Sequence, residues 1–228
     1  MKKQWIFLFV LCTLTALGQV ERKNKPTDFL PEGYAVMQTL TGDLNKDGIE
    51  DCVLLIKGTD EENKVTDEYR GDLDLNRRGI IILFQKEGKY ELALKNETCF
   101  SSEYEDGGVY FAPDLSVSLT KGNIYLHYAH GRYGYSSYTF RYQQGDFELI
   151  GYDSAYRSNF ISDWVAFDEK SVNFSTKKKL VKEIIKISDS GKETYKEIWT
   201  DLQVDKRAKL SEIKDFDDFS ASDYYKDR

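Results

Sequence analysis

The chain has 228 residues, with 32 Lys and Arg against 39 Asp and Glu, and it carries 16 Tyr and 13 Phe. That length allows one domain with a real core or two small ones, and so many rings argue against disorder, because burying them offsets the entropy of ordering. The negative balance and the lack of a basic stripe exclude nucleic acid as a natural partner, and beyond residue 18 no apolar run is long enough to span a membrane.

Residues 1–18 have the three parts of a secretory signal. Lys2 and Lys3 give a positive start, residues 5–17 form a short apolar stretch, and Ala16-Leu17-Gly18 places small residues at the −3 and −1 positions. Cleavage before Gln19 is expected, and with it export to a periplasmic or extracellular compartment. The alternative is a buried N-terminal helix. Leu11, ahead of Cys12, is not the small residue that lipidation of that cysteine needs. Removing residues 1–18, which hold two bases and no acid, leaves 210 residues with 30 basic and 39 acidic side chains, a net charge of −9.

Residues 19–31 are polar and aperiodic and read as a mobile lead-in. Residues 32–228 read as a single, mostly β domain of short apolar runs broken by turn residues. Residues 34–40 and 51–57 are the first runs, the second continuous enough for a strand buried on both faces. Residues 58–76 are strongly charged and read as an exposed excursion. Residues 79–85 are apolar again, and Lys86-Glu87-Gly88-Lys89 turns them into the alternating run 90–95. After an acidic turn region at 103–108, residues 116–120 pass through Lys121-Gly122-Asn123 into 124–128. Residues 135–142 pair with 147–152 through Gln143-Gln144-Gly145-Asp146. Around Ser188-Asp189-Ser190-Gly191, residues 180–187 and 194–202 are rich in Ile, Val, Thr, Tyr and Trp and read as a hairpin rather than a charged helix. The fold class is mainly β: an antiparallel β-meander (sandwich, barrel or propeller-like) of about nine to eleven strands with little helix. No internal repeat is visible.

After cleavage, Cys52 and Cys99 remain, an even number in an oxidising compartment. A bridge between them would close a loop of 48 residues, worth roughly 3–4 kcal/mol in the chain-entropy model. The alternative is two unpaired, buried thiols.

The sharpest motif is Asp43-Leu44-Asn45-Lys46-Asp47-Gly48-Ile49-Glu50-Asp51. Oxygen-bearing side chains stand at positions 1, 3, 5 and 9, with Gly at 6. Calcium takes hard oxygen ligands. The spacing of two directs Asp43, Asn45 and Asp47 at one centre, Gly48 permits the reversal, the Ile49 carbonyl joins the shell while its side chain enters the core, and Asp51 closes it directly or through water. An EF-hand would need Glu at position 12, where Leu54 stands. The motif, followed by the apolar run 52–56, resembles the strand–loop–strand calcium loops of the FG-GAP and VCBS families over about twenty residues, and the chain is similar to secreted single-domain proteins of uncharacterised function that carry one such loop. The resemblance implies a bound Ca2+ in an exported β protein. The competing reading is an Asx-rich turn with no ion.

Other constellations are weaker. Asp72, Asp74 and Asn76 repeat the spacing of two, and a solvated loop explains them. His127 and His130 are the chain's two histidines, three apart, and on a strand would face opposite sides, which disfavours zinc. Tyr138, Phe140 and Tyr142 share one strand face that reads as core, whereas Tyr133 and Tyr135, beside Gly131 and Gly134, are the candidates for a ligand-facing surface. Two function classes follow. The first is a calcium-stabilised, exported, non-enzymatic module binding a glycan or protein partner. The second is a secreted hydrolase using a polarised histidine or two of the acids Glu103, Glu105, Asp106, Asp163, Asp168 and Glu169. The acidic balance alone hints at a third, an inhibitor of a basic enzyme.

Overall fold

Three of the turn motifs fold as two-residue hairpin loops. In the computed structural model, which describes residues 21–104, 112–158 and 166–228, Glu87-Gly88, Lys121-Gly122 and Gln144-Gly145 all have positive φ at both positions. That backbone twist matches the right-handed twist of the flanking strands. The loops join β6 (Arg78–Lys86) to β7 (Lys89–Phe100), β8 (Asp114–Thr120) to β9 (Asn123–Ala129), and β10 (Gly134–Gln143) to β11 (Asp146–Arg157).

The remaining strands are β1 (Arg22–Lys23), β2 (Tyr34–Gly42), β3 (Asp51–Gly58), β4 (Lys64–Asp67), β5 (Gly71–Asp74), β12 (Phe167–Asn173), β13 (Lys178–Ile187), β14 (Glu193–Gln203) and β15 (Lys226–Asp227). They form a five-stranded sheet, β1-β7-β6-β3-β2, an eight-stranded sheet in strict chain order from β8 to β15, and the small hairpin β4-β5. The paired strands all run antiparallel. Helical structure is confined to 3-10 segments of three or four residues among the described residues. The fold is therefore mainly β, a meander in two sheets.

Alternation along β3 explains its unbroken apolar run. Val53 and Leu55 join Ile80 and Ile82 of β6 in a core shared with Ile124, Leu126 and Phe140 of the large sheet. Cys52, Leu54 and Ile56 face the other way, with Ile81 and Leu83, under Phe29. Both faces of these central strands are covered, which removes the usual polar alternation.

Four expectations are corrected. The lead-in is not loose from residue 21 onward: Arg22 and Lys23 pair with Glu91 and Tyr90, and Phe29 is buried. Its apolar anchors are too few to show a period. The excursion 58–76 contains the β4-β5 hairpin, and Asn76 is buried beneath it. Strand β12 is polar along most of its length and shows no strand pattern; only Val172 reaches the core. Among the described residues the strand count is accordingly fifteen, two of them two residues long.

The C-terminal strap, residues 204–225, is the largest omission. Ala208, Leu210, Ile213, Phe216 and Ala221 enter the shared core at irregular spacing. The strap bonds both sheets: Leu149 N–H donates to the Ala208 carbonyl at 2.8 Å, Leu210 N–H to Phe147 at 2.9 Å, and Phe216 N–H to Cys99 at 2.9 Å. Asn96 Nδ2 donates to the Leu210 and Ile213 carbonyls at 3.0 and 2.7 Å. Phe216 lies against the rings of Phe100, Tyr128, Tyr138, Phe140 and Phe219. Phe216→Ala is expected to cost about 3–5 kcal/mol by leaving a cavity at this junction, read as a shift of the urea midpoint at unchanged slope.

Candidate functional site

The loop between β2 and β3 is built from its own side chains. Asp43 accepts the N–H groups of Asp47 at 3.2 Å and Gly48 at 3.0 Å. Asn45 Oδ1 accepts Asp47 N–H at 2.9 Å, and Asp47 Oδ1 accepts Ile49 N–H at 2.8 Å. Asn45 Nδ2 donates to Asp47 Oδ2 at 3.0 Å. Lys46 and Gly48 sit at φ 66° and 86°, the left-handed conformations that fold five residues back on themselves. Asp43 and Asn45 thus share the single N–H of Asp47, so the side chains at positions 1, 3 and 5 of the motif meet at the loop tip. The loop leans on the β8–β9 turn: a Cβ added at Gly122 would lie 3.2 Å from the Asp43 carbonyl.

Two members of the motif behave differently from expectation. Leu44, at 1 % exposure, is the residue that plugs the loop into the core, while the Ile49 side chain is 41 % exposed. The reversal at Gly48 turns Ile49 outward, so the expected inward side chain is corrected. Asp51 is fully buried. Its carboxylate accepts Leu44 N–H at 2.8 Å, Asn45 N–H at 3.3 Å and, from β6, Gln85 N–H at 3.1 Å. Burial raises its pKa, these three amides pull it back, and the nearby Asp47 charge adds to the rise. Asp51 therefore acts as a bracket between the loop and the sheet. The donor chemistry of Asp43, Asn45 and Asp47, all hard oxygen, suits calcium. No group of three or more His, Cys, Asp or Glu side chains is gathered closely enough to hold a metal ion among the described residues.

The cysteines do not pair. Both are buried and free, and they belong to opposite faces of the small sheet, Cys52 with the cluster under Phe29 and Cys99 with the shared core. Strand alternation sends the two side chains apart. Burial, and then the Asp51 charge, push the Cys52 thiol up to about 11; burial pushes Cys99 higher still. Residues 21–228 should show no thiol reactive toward a maleimide at neutral pH while folded and two after unfolding in denaturant, without any reductant.

The weaker constellations resolve into structural roles. Asp72 accepts the Thr66 hydroxyl at 2.8 Å. Asp74 accepts Asn76 N–H and Nδ2 at 3.0 and 2.8 Å and pairs with Lys57 at 3.0 Å. Asn76 in turn clamps Asp60 through both backbone atoms. Glu103 pairs with Lys57, and Glu169 with Lys182. Asp168 accepts Ile184 N–H at 2.9 Å, beside the bulge that β13 makes against β14. Glu105, Asp106 and Asp163 lie outside the described residues.

Tyr133 is exposed in the 3-10 turn Gly131–Tyr133 and takes the Arg132 guanidinium on its hydroxyl at 3.0 Å. Tyr135 is half-buried on β10, its ring 5.2 Å from that of His127. The structure thus separates the two tyrosines, one on the turn and one on the sheet. Tyr138 and Phe140 are core, as their shared face implied. Outward aromatics that pattern alone does not single out include Tyr69, Tyr156 and, on β14, Trp199, which is 62 % exposed.

His130 Nε2 lies 3.2 Å from the Ser136 hydroxyl. Burial first, and the neighbouring His127 second, lower the His130 pKa. The folded protein therefore favours neutral His130, and stability falls as pH drops through the ordinary histidine value near ~6.5. His130→Gln, which can keep the Ser136 contact, should flatten the pH dependence of the denaturation midpoint between about pH 5 and 7. Compared with known proteins, the chain matches no family model, no curated protein and no solved structure.

Proposed function

We propose that this chain is an exported β module that binds a glycan or protein partner and is stabilised by a calcium ion in the 43–51 loop. The observation that supports it most is the convergence of Asp43 and Asn45 on the one N–H of Asp47, which gathers three oxygen-bearing side chains at the tip of a hairpin. Asp43, Asn45 and Asp47 would hold the ion with the Ile49 carbonyl, and Asp51 would support the shell from behind or join it. The ion's contribution is charge neutralisation and rigidity. The signal-like leader supports export, and the loop's resemblance to FG-GAP and VCBS sequences supports the metal. Exposed rings such as Tyr133 support a binding surface.

The hydrolase reading has one specific observation in its favour, the His130–Ser136 contact at 3.2 Å. Ser136 is itself buried, which leaves little room for a carbonyl to meet its hydroxyl. The binding reading is therefore preferred.

With an affinity near ~10 μM, free calcium at ~1 mM adds roughly 2.7 kcal/mol, a rise of roughly 5–10 °C in melting temperature over chelator for a domain of this size. Asp47→Ala should abolish that rise. Asp51→Ala, which strips the acceptor from three amides, should lower stability by about 1–3 kcal/mol in calcium and chelator alike. Equal melting in both media for the unmodified protein, with no metal in the purified sample, would defeat the calcium reading. A glycan array and a pull-down from native envelope address the partner, and silence in both would leave only a scaffold.

A further inference from the structure

The β14–β15 corner holds a depression of about 710 Å3 lined by Thr176, Lys177, Trp199, Thr200, Asp201 and Arg228. We propose that it is a glycan site selective for sugars that carry a carboxylate or sulfate, an inference that rests on the glycan half of the function proposed above. Register explains why an indole stands there. Leu180 faces Trp199 across the β13–β14 ladder and Val181 faces Ile198, so Trp199 shares the outer face of the sheet while its neighbours Ile198 and Leu202 turn the other way. Strand β15 pairs with Leu202 and Gln203 and Arg228 N–H reaches Asp201, so among the described residues the cover of the β14 edge ends short of the ring. An exposed indole beside Thr176 and Asp201, which line the same depression, suits the face of a pyranose, whose C–H groups meet the ring while its hydroxyls meet polar neighbours.

Charge decides which sugars. The chain as a whole carries −7, yet this corner is locally basic. Lys178 pairs with Asp201 at 2.9 Å, and Arg228 acts on the same carboxylate. Lys179 is engaged by Asp227. Lys177 has no carboxylate partner among the described residues. Against Lys177, Lys178 and Arg228 stand the carboxylate of Asp201 and, in the 21–228 protein, the α-carboxylate of Arg228, which leaves one cation in excess at the rim of the ring, an arrangement complementary to an anion. The backbone holds the cations in place. Leu202 N–H donates to the Lys177 carbonyl at 2.8 Å and Arg228 N–H to the Asp201 carbonyl at 3.0 Å. Asn173 Oδ1 accepts Ser175 and Thr176 N–H at 3.0 and 2.9 Å and shapes the turn, in which Lys177 sits at φ 56°. A ligand that meets a preset frame loses less entropy on binding.

The test is calorimetric titration of residues 21–228 with an oligogalacturonate, a heparin hexasaccharide, cellohexaose as the neutral control and single-stranded oligodeoxythymidine as a non-sugar polyanion. At least one acidic oligosaccharide is expected to bind about tenfold or more tightly than cellohexaose, and Trp199→Ala to weaken it by about tenfold or more. Because Trp199 is exposed, that variant should melt with the unmodified protein. The double variant Lys177→Gln, Arg228→Gln should erase the preference for acidic over neutral sugar. Undiminished binding by Trp199→Ala would overturn the site while leaving the glycan reading in place. No binding to any sugar here, with a silent array, would overturn both. Oligodeoxythymidine binding as tightly as the acidic sugars would replace sugar recognition with capture of any polyanion.

Discussion

Two strands that are apolar on both faces need two covers, and that requirement organises this molecule. β3 and β6 present Val53, Leu55, Ile80 and Ile82 to one side and Leu54, Ile56, Ile81 and Leu83 to the other. The eight-stranded sheet covers the first side. The segment around Phe29 covers the second, which is why residues of unpromising polarity are held firmly against the sheet. The C-terminal strap then fills the junction between the sheets with Phe216, and its backbone bonds reach β7 and β11 together. Burying apolar area on both sides of one sheet is the dominant favourable term available to a chain with few prolines and no disulfide among its described residues.

The 43–51 loop inherits its geometry from that core. Leu44 is inserted from one end and Asp51 is anchored at the other, where the buried carboxylate satisfies amides of both the loop and β6. A buried carboxylate is tolerable only when its lone pairs are matched, and three N–H groups do this. The acidic tip, with Asp43, Asn45 and Asp47, is then free to face outward without destabilising the strands. Structure and charge are divided between the two ends of one nine-residue motif.

Surface chemistry follows from the same meander. Since neighbouring strands of the large sheet are also neighbours in sequence, side chains of equal parity line up across it. One set fills the core. The other gives an outer face where His127 meets Tyr135 and where Trp199 stands opposite Leu180. A meander with this design offers a broad, preset face on which side chains can vary without disturbing the packing beneath.

Local signals were sufficient for the hairpins and the class of fold. Gly88, Gly122 and Gly145 follow a residue that adopts positive φ, and the flanking runs alternate or are wholly apolar, so turn and strand were legible from neighbours alone. The grouping of Asp43, Asn45 and Asp47 was legible for the same reason, since all its contacts lie within five residues. What lay beyond reach depended on partners distant in the chain. Cys52 and Cys99 are equally plausible as a pair or as two thiols until the sheet assigns them opposite faces. Phe29 and the strap around Phe216 carry no period because each is held by elements far away in sequence, up to 117 residues for Asn96 and Ile213, while β12 pairs with its chain neighbours but sends only Val172 into the core. Spacing informs on neighbours along the backbone; only the closed core decides which remote surfaces those neighbours must cover.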